Sequence, residues 1–398
     1  MSNLTTNKIL VAVSEAIDIP DSSYEIAGKR YRALSEWFSR PESRCSAHDP
    51  HLYGQGSFRL GTVIRPLNKD GEYDLDMGCR LRRGVSKATH TQKQLKELVG
   101  AEVAAYCIAQ GFKQACEEKN RCWRLKYTDQ LNFHLDAVPS IPAEPSRCVL
   151  LTEAMVKAGT HILLAQTVAN MAGAITDKTL YNYTAISNDW LTSNSEGFAL
   201  WFESRMELAK PLLEIWIAAA RAAKIEKLPS YRRKSPLQKV VQILKRHRDA
   251  MFEDNPDGKP ISIIITTLAA VAYGGEVELD DALAGILDRM GGLVRPNAPY
   301  VPNPVNPDED FADKWGKSEY QHLRLAEKFR LWLEQAKIDL GKVHTTHSAD
   351  GISKMLQSAF AVSLSEEVMS RIPELLAITI TPKSHAVSAR PVKPWDCD

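Results

Sequence analysis

The residues best suited to chemistry lie between positions 54 and 77 of the chain. Gly56-Ser57 reads as a small-residue turn, and the backbone N–H groups of such a turn can bind phosphate oxygens. Asp74 and Asp76 follow on the next element, two positions apart. Because side chains alternate along a strand, both carboxylates would lie on one face, about 7 Å apart. Carboxylate oxygens suit Mg²⁺, which also takes phosphate oxygens as ligands. The segment therefore predicts a site where a metal ion and phosphates meet.

Two alternating segments are predicted to hold the carboxylates in place. Residues 73–82 alternate apolar and polar side chains, and so do residues 131–137, where Asp136 lies on the polar face. Residues 122–127 are the predicted hairpin partner of the second strand. If the two strands are neighbours, Asp136 joins the other two carboxylates at one spot. Such a set of oxygen ligands predicts two Mg²⁺ ions, with Mn²⁺ as a substitute.

Simpler interpretations of each motif stay open. A lone D-x-D in a strand is usually a solvated face, and a lone Gly-Ser pair is usually only a turn. The conjunction of both with a third aspartate is what favours a site. Lys245, in a helix predicted from Ser235 to about residue 252, could neutralise a distal phosphate or lie on the solvated face of that helix. Ser262 could donate a hydroxyl to a phosphate or cap the next helix.

The elements around these motifs predict an α+β protein with two lobes. Residues 1–196 mix helices and strands, residues 197–380 are mainly helical, and residues 381–398 form a tail without periodicity. A cleft between two lobes is a common ligand site. The predicted helices span residues 3–17, 24–38, 91–110, 198–225, 235–252, 261–273, 279–290, 311–338 and 351–360, and residues 295–307 form a Pro/Asn-rich loop.

Composition narrows the class of protein. The chain has 398 residues, 44% hydrophobic and 25% charged, with 50 basic against 49 acidic residues and a formal charge of +1. It therefore carries no overall basic signature of a nucleic-acid-binding surface. The seven cysteines lack a C-x-x-C pair, which favours a reducing cytosol and argues against a structural zinc. No signal-peptide pattern begins the chain, and its most apolar run, residues 261–273, is too short for a membrane span. We expect a soluble, cytoplasmic protein.

These motifs resemble the polymerase-β-like nucleotidyltransferases and, more narrowly, the cGAS/DncV-like branch known as CD-NTases. In the first lobe, the resemblance rests on Gln55-Gly56-Ser57-Phe58-Arg59-Leu60-Gly61-Thr62, Tyr73-Asp74-Leu75-Asp76 and His134-Leu135-Asp136-Ala137-Val138-Pro139. In the second lobe, it rests on Leu244-Lys245-Arg246-His247-Arg248-Asp249, Pro260-Ile261-Ser262 and the segment 303–315. The resemblance covers residues 50 to 320 approximately.

The resemblance implies a polymerase-β-like nucleotidyltransferase lobe with a mixed sheet, an oligoadenylate-synthase-like helical lobe and an active site in the cleft between them. Asp74 and Asp76 would bind both metal ions, and Asp136 would bind the ion beside the attacking ribose hydroxyl. The nucleotide would be bound by Gln55, Gly56, Ser57, Lys245 and Ser262.

The implied reaction joins NTPs into a cyclic di- or trinucleotide second messenger and releases pyrophosphate at each step. In bacteria, the product would act on a downstream effector in anti-phage defence, and regulatory proteins could control the enzyme. Two alternatives remain. The same site could make linear oligonucleotides or nucleotidylate RNA or a protein, or the cleft could sense nucleotides without turnover, although the complete aspartate triad argues against a pure sensor. No His/Cys cluster resembles the zinc ribbon of the DNA-sensing cyclic GMP–AMP synthase, so DNA activation in that manner is not expected.

Overall fold

The computed structural model describes residues 4–68, 71–127, 133–207, 234–295, 299–346, 348–366 and 369. Its central feature is a seven-stranded mixed sheet. The strands span Pro50–Gly54 (β1), Tyr73–Leu81 (β2), Glu117–Glu118 (β3), Trp123–Tyr127 (β4), Phe133–Pro142 (β5), Gly173–Ile175 (β6) and Leu191–Ser193 (β7). They run in the order β1-β2-β5-β4-β3, while β6 pairs with the end of β5 and β7 pairs with β6.

The long strands β2 and β5 lie side by side in parallel. Both follow the alternation in their sequences, because Leu75, Met77 and Cys79 on β2 and Phe133 and Leu135 on β5 are fully buried. The hairpin partner β4 pairs antiparallel with β5 as predicted. The two predicted strands and their adjacency are therefore confirmed. As a result, the polar residues of these strands share the opposite face of the sheet.

Two helices pack with the apolar side of the sheet in one core, α2 (Asp21–Ser39) and α4 (Gln92–Ala109). At the start of α4, the Thr91 and Gln94 side chains each bond the other residue's backbone in a capping box. At its end, Gly111 has a φ of +67°, the left-handed conformation that closes many helices. These local signals explain why the helix over residues 91–110 is predictable from sequence.

The remaining long helices form a second core. Its members are α1 (Leu4–Ile17), α5 (Pro145–Lys157), α6 (Ile162–Ala169), α7 (Ser195–Met206), α8 (Pro236–Met251), α9 (Ser262–Ala272), α10 (Leu279–Leu293), α11 (Leu325–Thr345) and α12 (Ala349–Phe360). The short helix α3 (Gly56–Leu60) joins the two cores, because Phe58 lies in the first and Leu60 in the second. The second core thus includes α1, α5 and α6, which precede residue 197 in the chain.

Buried ion pairs connect the sheet to the helical core. Arg59 on α3 pairs with Glu203 on α7. Glu196, at the start of α7, contacts His51 on β1 at 2.9 Å and Arg80 on β2 at 3.0 Å. None of these side chains is more than 12% exposed. Each buried charge has an opposite partner, which is the condition for a charge to be tolerated inside a protein.

Two segments of the helical half differ from the sequence prediction. Residues 295–307, predicted as a loop, contain the strand Pro302–Asn303 (β8), which pairs with Asn306–Asp310 (β9). The helix predicted over residues 311–338 is wrong in its first part, because two 3₁₀ helices occupy Asp313–Gly316 and Ser318–Leu323 before α11 begins.

The late start of α11 has a local cause. Arg324 has a φ of +50°, which a right-handed helix cannot contain. Trp315 also folds back onto Phe329, with ring centroids 5.3 Å apart. The chain therefore reverses direction where its apolar spacing alone would predict a continuous helix.

Some predictions lie outside the described residues. Of the helix predicted over residues 198–225, the first part is described and forms α7, whereas the part from residue 208 onward lies outside the described residues. The predicted tail, residues 381–398, also lies outside them. Within the described ranges, none of the helices combines the length and apolarity that a membrane span requires.

Candidate active site

Three aspartates lie on the polar face of β2 and β5. Asp76 is directly opposite Asp136 across the parallel ladder, and Asp74 is opposite His134. Adjacent strands are about 4.8 Å apart, so the Asp76 and Asp136 side chains leave the sheet next to each other. Asp74 is 68% exposed, whereas Asp136 is 15% exposed. The structure therefore brings together the three residues that the sequence predicts as metal ligands.

Gly56 lies directly against Asp76. Its φ is +62°, and a Cβ at this position would overlap Oδ2 of Asp76. The N–H of Gln55 donates to the Asp76 carbonyl over 2.8 Å, which attaches the turn to β2. Ser57 follows in the first turn of α3. Only glycine can occupy position 56 without displacing the carboxylate, and this brings the turn within reach of the aspartates.

The surroundings of Asp76 disfavour the ionised form of its carboxyl group. Burial, and then the charges of Asp136 and Asp74, raise the pKa of Asp76 to about 7, although Arg124 acts in the opposite direction. A bound cation would remove this repulsion, and carboxylate oxygens are the ligands that Mg²⁺ prefers. The oxygen chemistry of these donors therefore fits a divalent cation.

Arg124 on β4 holds the third aspartate. Its Nε and Nη2 donate to Oδ1 and Oδ2 of Asp136, both over 2.7 Å, and the two residues are opposite each other in register. In the part of the chain that the structure describes, no three Asp, Glu, His or Cys side chains converge in a geometry that would hold a metal ion. Asp136 is placed to be a ligand, but both of its oxygens are engaged by the guanidinium.

A cavity of about 430 Å³ opens beside the carboxylates. Its wall combines Ser57 and Asp74 from the sheet side with Lys245 on α8 and Ser262 on α9. The other cationic side chains along the wall are Arg65, Arg248 and Lys259. The acidic side chains of Glu72, Asp74, Asp249 and Glu253 also line the cavity, so a triphosphate would meet its cations on a wall of mixed charge. Four of the predicted site residues thus share one cavity between the two cores.

Comparison with known proteins agrees with this arrangement. A family model described as "Cyclic GMP-AMP synthase DncV-like, nucleotidyltransferase domain" matches residues 50–139. The CD-NTase CdnG of Bradyrhizobium diazoefficiens, solved in complex with GTP, shares the fold with a TM-score of 0.62, 20% identity, and coverage of 94% of this chain and 99% of that one. A c-di-GMP synthase from Roseivirga ehrenbergii is 31% identical over 314 residues, which are 77% of this chain and 72% of that protein. The chain belongs to the CD-NTase family.

A further relative extends the match. The cyclic dinucleotide synthase CdnG of B. diazoefficiens is 25% identical over 334 residues, 79% of this chain and 71% of that protein. This CD-NTase is therefore an enzyme, a nucleotidyltransferase with the polymerase-β-like fold, as the sequence predicts. Its relatives are cyclic dinucleotide synthases, and its family is generally metal-dependent.

Lys245 of this CD-NTase is buried, with 6% of the residue exposed. Its Nζ donates to the Thr62 carbonyl over 2.8 Å. Burial, and then the nearby charge of Arg248, lower the pKa of Lys245 to about 7. The side chain is therefore not on a solvated helix face, which was the alternative interpretation. A phosphate in the cavity would favour its charged form.

Ser262 is the first residue of α9, and Ile261 occupies the N-cap position. The alternative prediction that Ser262 caps the helix is therefore wrong. Its Oγ instead accepts a hydrogen bond from Nη1 of Arg248 over 3.0 Å. Arg248 is fixed in turn by the Pro260 carbonyl at 2.9 Å and by Asp249 at 2.8 Å. Because the oxygen of Ser262 is used as an acceptor, its hydroxyl proton stays available to a ligand.

Sequence analysis missed Arg124 and Arg248. A signal for each is present in the sequence. Arg124 and Lys126 alternate on a short strand and share its polar face, as the aspartates do on β2. Arg248 is three positions after Lys245, so the two lie on the same side of α8. Neither signal shows which carboxylate or hydroxyl the side chain contacts, and this is what the structure adds.

Polar side chains of α8 bind the backbone that follows α3. The hydrogen bonds run from Gln238 to the Leu60 carbonyl at 2.9 Å, from Gln242 to Val63 at 2.7 Å, from Lys245 to Thr62 at 2.8 Å and from Arg246 to Arg65 at 2.6 Å. The helix that carries Lys245 is therefore attached to the segment that begins at the Gly-Ser turn.

A second cavity, of about 580 Å³, lies farther along the same face of the sheet. Ile175 on β6 lines it and pairs with Ser140 on β5. Ser140 shares the face of Asp136 and is about 13 Å beyond it along the strand. The opposite wall carries Arg147 and Asp308, which form an ion pair at 3.2 Å. This cavity is large enough for a nucleoside, and it is lined by residues other than the three aspartates.

Proposed function

We propose that this CD-NTase condenses GTP into a cyclic dinucleotide, releasing pyrophosphate as each bond forms, with two divalent cations. The observation that carries the proposal is the register of β2 and β5, which places Asp76 beside Asp136 with Gly56 packed against Asp76. The choice of GTP and of a dinucleotide product is supported by the relatives, a c-di-GMP synthase and a cyclic dinucleotide synthase.

In this proposal, the aspartates bind the cations and the Gly-Ser turn binds the triphosphate. Asp74 and Asp76 would hold both cations, and Asp136 would hold the one beside the attacking ribose hydroxyl. When bound, Mg²⁺ would lower the pKa of that hydroxyl and offset the charge on the leaving pyrophosphate. The backbone N–H groups at Gly56 and Ser57 would bind triphosphate oxygens.

Two cavities match two nucleotides. The donor triphosphate would occupy the first cavity, where Lys245 gives up the Thr62 carbonyl for a phosphate and Ser262 donates its hydroxyl. Gln55 would contribute through its backbone, which keeps the turn on β2. The acceptor nucleoside would occupy the second cavity, with its ribose hydroxyl towards Asp136. The linear intermediate would then turn around, so that its own hydroxyl attacks and closes the ring.

The product would serve as a second messenger in anti-phage defence, received by a downstream effector, as the family resemblance implies. A regulatory protein could control the enzyme. One structural neighbour, CdnC of E. coli MS115-1, has been solved in a complex with HORMA-deltaN, at a TM-score of 0.57 and 12% identity.

The decisive experiment incubates the full chain with Mg²⁺ and labelled GTP, alone and with the other NTPs, then treats the mixture with phosphatase. A phosphatase-resistant product of two guanylates, identified by mass spectrometry, is expected. The control is the variant with Asp74→Asn and Asp76→Asn, which should form none.

Other outcomes would change the proposal. Phosphatase-sensitive oligomers would identify a linear oligonucleotide synthase. A resistant product with another base would keep the cyclase and reject GTP as its sole substrate. Nucleotide binding without any product, with every NTP and with cell extract added, would favour a sensor.

A further inference from the structure

The pair between Arg124 and Asp136 engages both oxygens of that carboxylate. Two N–H groups of the guanidinium meet the two oxygens, each over 2.7 Å. The side chains are 26% and 15% exposed, so solvent screens the pair only in part. Bidentate pairs between a guanidinium and a carboxylate are among the strongest charged hydrogen bonds in proteins. A cation that takes Asp136 as a ligand therefore competes with Arg124 for the same two oxygens.

Asp76, the neighbour of Asp136, is an example of an aspartate at this site that has no bonded guanidinium. It lies opposite Asp136 on β2, and among the described residues no cationic side chain is bonded to its carboxylate. The two aspartates thus differ in their partners, because Arg124 bonds the carboxylate of Asp136 and not that of Asp76. The carboxylate of Asp76 can accept a metal cation directly, whereas that of Asp136 is already paired with the Arg124 guanidinium.

We propose that Arg124 is a positioning residue that blocks the third metal ligand until a nucleotide enters. This inference rests on the proposed metal-dependent function. Phosphate oxygens compete well with carboxylates for a guanidinium. A nucleotide in the cleft would draw Arg124 away from Asp136, and the freed carboxylate would complete the cation site. Metal binding at Asp136 and nucleotide binding would then occur together, and the empty enzyme would bind metal weakly.

The strand offers a matched control. Lys126 lies on the same face of β4, opposite His134, and carries the same charge. Among the described residues, the ion pair of Asp136 is formed by Arg124 and not by Lys126. Replacing Lys126 therefore measures the effect of losing one positive charge near the aspartates. Replacing Arg124 measures the same loss of charge together with the release of the Asp136 oxygens.

The test measures Mn²⁺ binding to the nucleotide-free full chain by the loss of the free-ion EPR signal. Arg124→Gln should bind Mn²⁺ about tenfold more tightly than the wild type, because one strong charged hydrogen-bond pair is released. Lys126→Gln should stay within about twofold of the wild type. The gain from Arg124→Gln should vanish when Asp136→Asn is added.

Equal affinities for Arg124→Gln and Lys126→Gln would overturn the proposal, and so would a gain that survives Asp136→Asn. If Arg124→Gln unfolds, Arg124→Lys serves instead, since it keeps the charge but cannot form the parallel pair of hydrogen bonds that a guanidinium makes with a carboxylate. It should bind Mn²⁺ more tightly than the wild type, and an unchanged affinity would reject the idea. The product assay and the Mn²⁺ assay test different claims. If a cyclic product forms but Arg124→Gln does not change Mn²⁺ affinity, only the role of Arg124 is rejected. If Arg124→Gln tightens Mn²⁺ binding but no product forms, only the cyclase activity is rejected.

Discussion

Asp76 and Glu196 are both carboxylates near the face of β2 that meets the helical core, yet their surroundings are opposite. Glu196 is bonded to His51 and Arg80 at 2.9 and 3.0 Å. Burial acts to raise the pKa of Glu196, but the bond from His51 and the charge of Arg80 outweigh it, and the pKa is lowered. At Asp76, burial and two neighbouring carboxylates act together, and the pKa is raised to about 7.

The difference separates a charge that the fold neutralises from one that it leaves without a bonded cation. The fold neutralises Glu196 with Arg80, which lies about 13 Å from Asp76 along β2, and with His51 on β1. At the aspartates, among the described residues, Arg124 bonds Asp136 and the His134 ring lies 3.8 Å from Asp74, but neither bonds the carboxylate of Asp76. An excess of negative charge held in a rigid sheet is unfavourable for the empty protein and favourable for cation binding.

The sharpest test of this contrast is Asp76→Asn, which should lower kcat/KM for product formation by about 10³-fold. The same change should make the metal-free protein more stable at pH 8, by about 2 kcal/mol, in urea unfolding with EDTA. The pKa of Asp76 in the folded state, about 7, is above its ordinary value of 3.8, so its contribution to stability is complete below 3.8 and lost as the pH rises through 7. The gain should therefore shrink at pH 5.5. A loss of stability at pH 8 would show that Asp76 is a structural charge after all.

The next largest effect is expected at Gly56. Gly56→Ala forces a side chain against Oδ2 of Asp76 and adds the cost of a positive φ, so activity should fall by about 10²-fold. Gly111→Ala is the matched control, because Gly111 has a φ of +67° with no atom near its missing Cβ. It should cost about 1 kcal/mol in unfolding free energy and leave turnover unchanged. Equal losses of activity in the two variants would mean that the contact with Asp76 is unimportant.

Lys245 should have a smaller effect, visible in binding. At pH 8.5 the free lysine is largely neutral, since its pKa is lowered to about 7, and a bound triphosphate should restore its charge. Calorimetry with a non-hydrolysable GTP analogue, in two buffers of different ionisation enthalpy, should show uptake of about one proton. Lys245→Met should lose this uptake and bind about tenfold more weakly. Lys239→Met, on the same helix and outside the cavity, should behave as the wild type; unchanged uptake in Lys245→Met would exclude the lysine from the phosphate site.

The smallest change in turnover is expected from Glu196→Gln. This variant removes the buried anionic partner of Arg80, so the free energy of unfolding should fall by about 3 kcal/mol. Activity per folded molecule should stay within about twofold of the wild type. Glu97→Gln, which removes an exposed pair with Lys93, should cost less than about 0.5 kcal/mol. A large loss of turnover at full folding would place Glu196 in the active site.

The sequence predicts the aspartates and the strands that carry them because alternation is a local property. It also predicts α4 and α8, since Thr91 and Ser235 provide capping boxes within four residues of chain. It does not predict that Arg124 meets Asp136. That contact depends on the register of a hairpin whose connecting residues, 128–132, give no short turn motif.

Tertiary packing accounts for the other differences. The prediction of a helix at residues 311–338 failed because Trp315 packs on Phe329, which lies beyond the turn. The dual character of Ser262 could not be resolved from sequence either, since its partner Arg248 is on a different helix. Local patterns identify which residues are chemically capable, and long-range contacts decide what each of them touches.

The hydrogen bonds from α8 end on main-chain carbonyls, which every amino acid supplies. Substitutions along residues 60–65 therefore keep the acceptors, and only packing limits which side chains are allowed there. A change at Gln242, by contrast, deletes a donor outright. Tolerance to mutation should consequently be unequal on the two sides of this contact, high in the segment and low on the helix. The chain can diverge in sequence next to its Gly-Ser turn and still keep that turn attached.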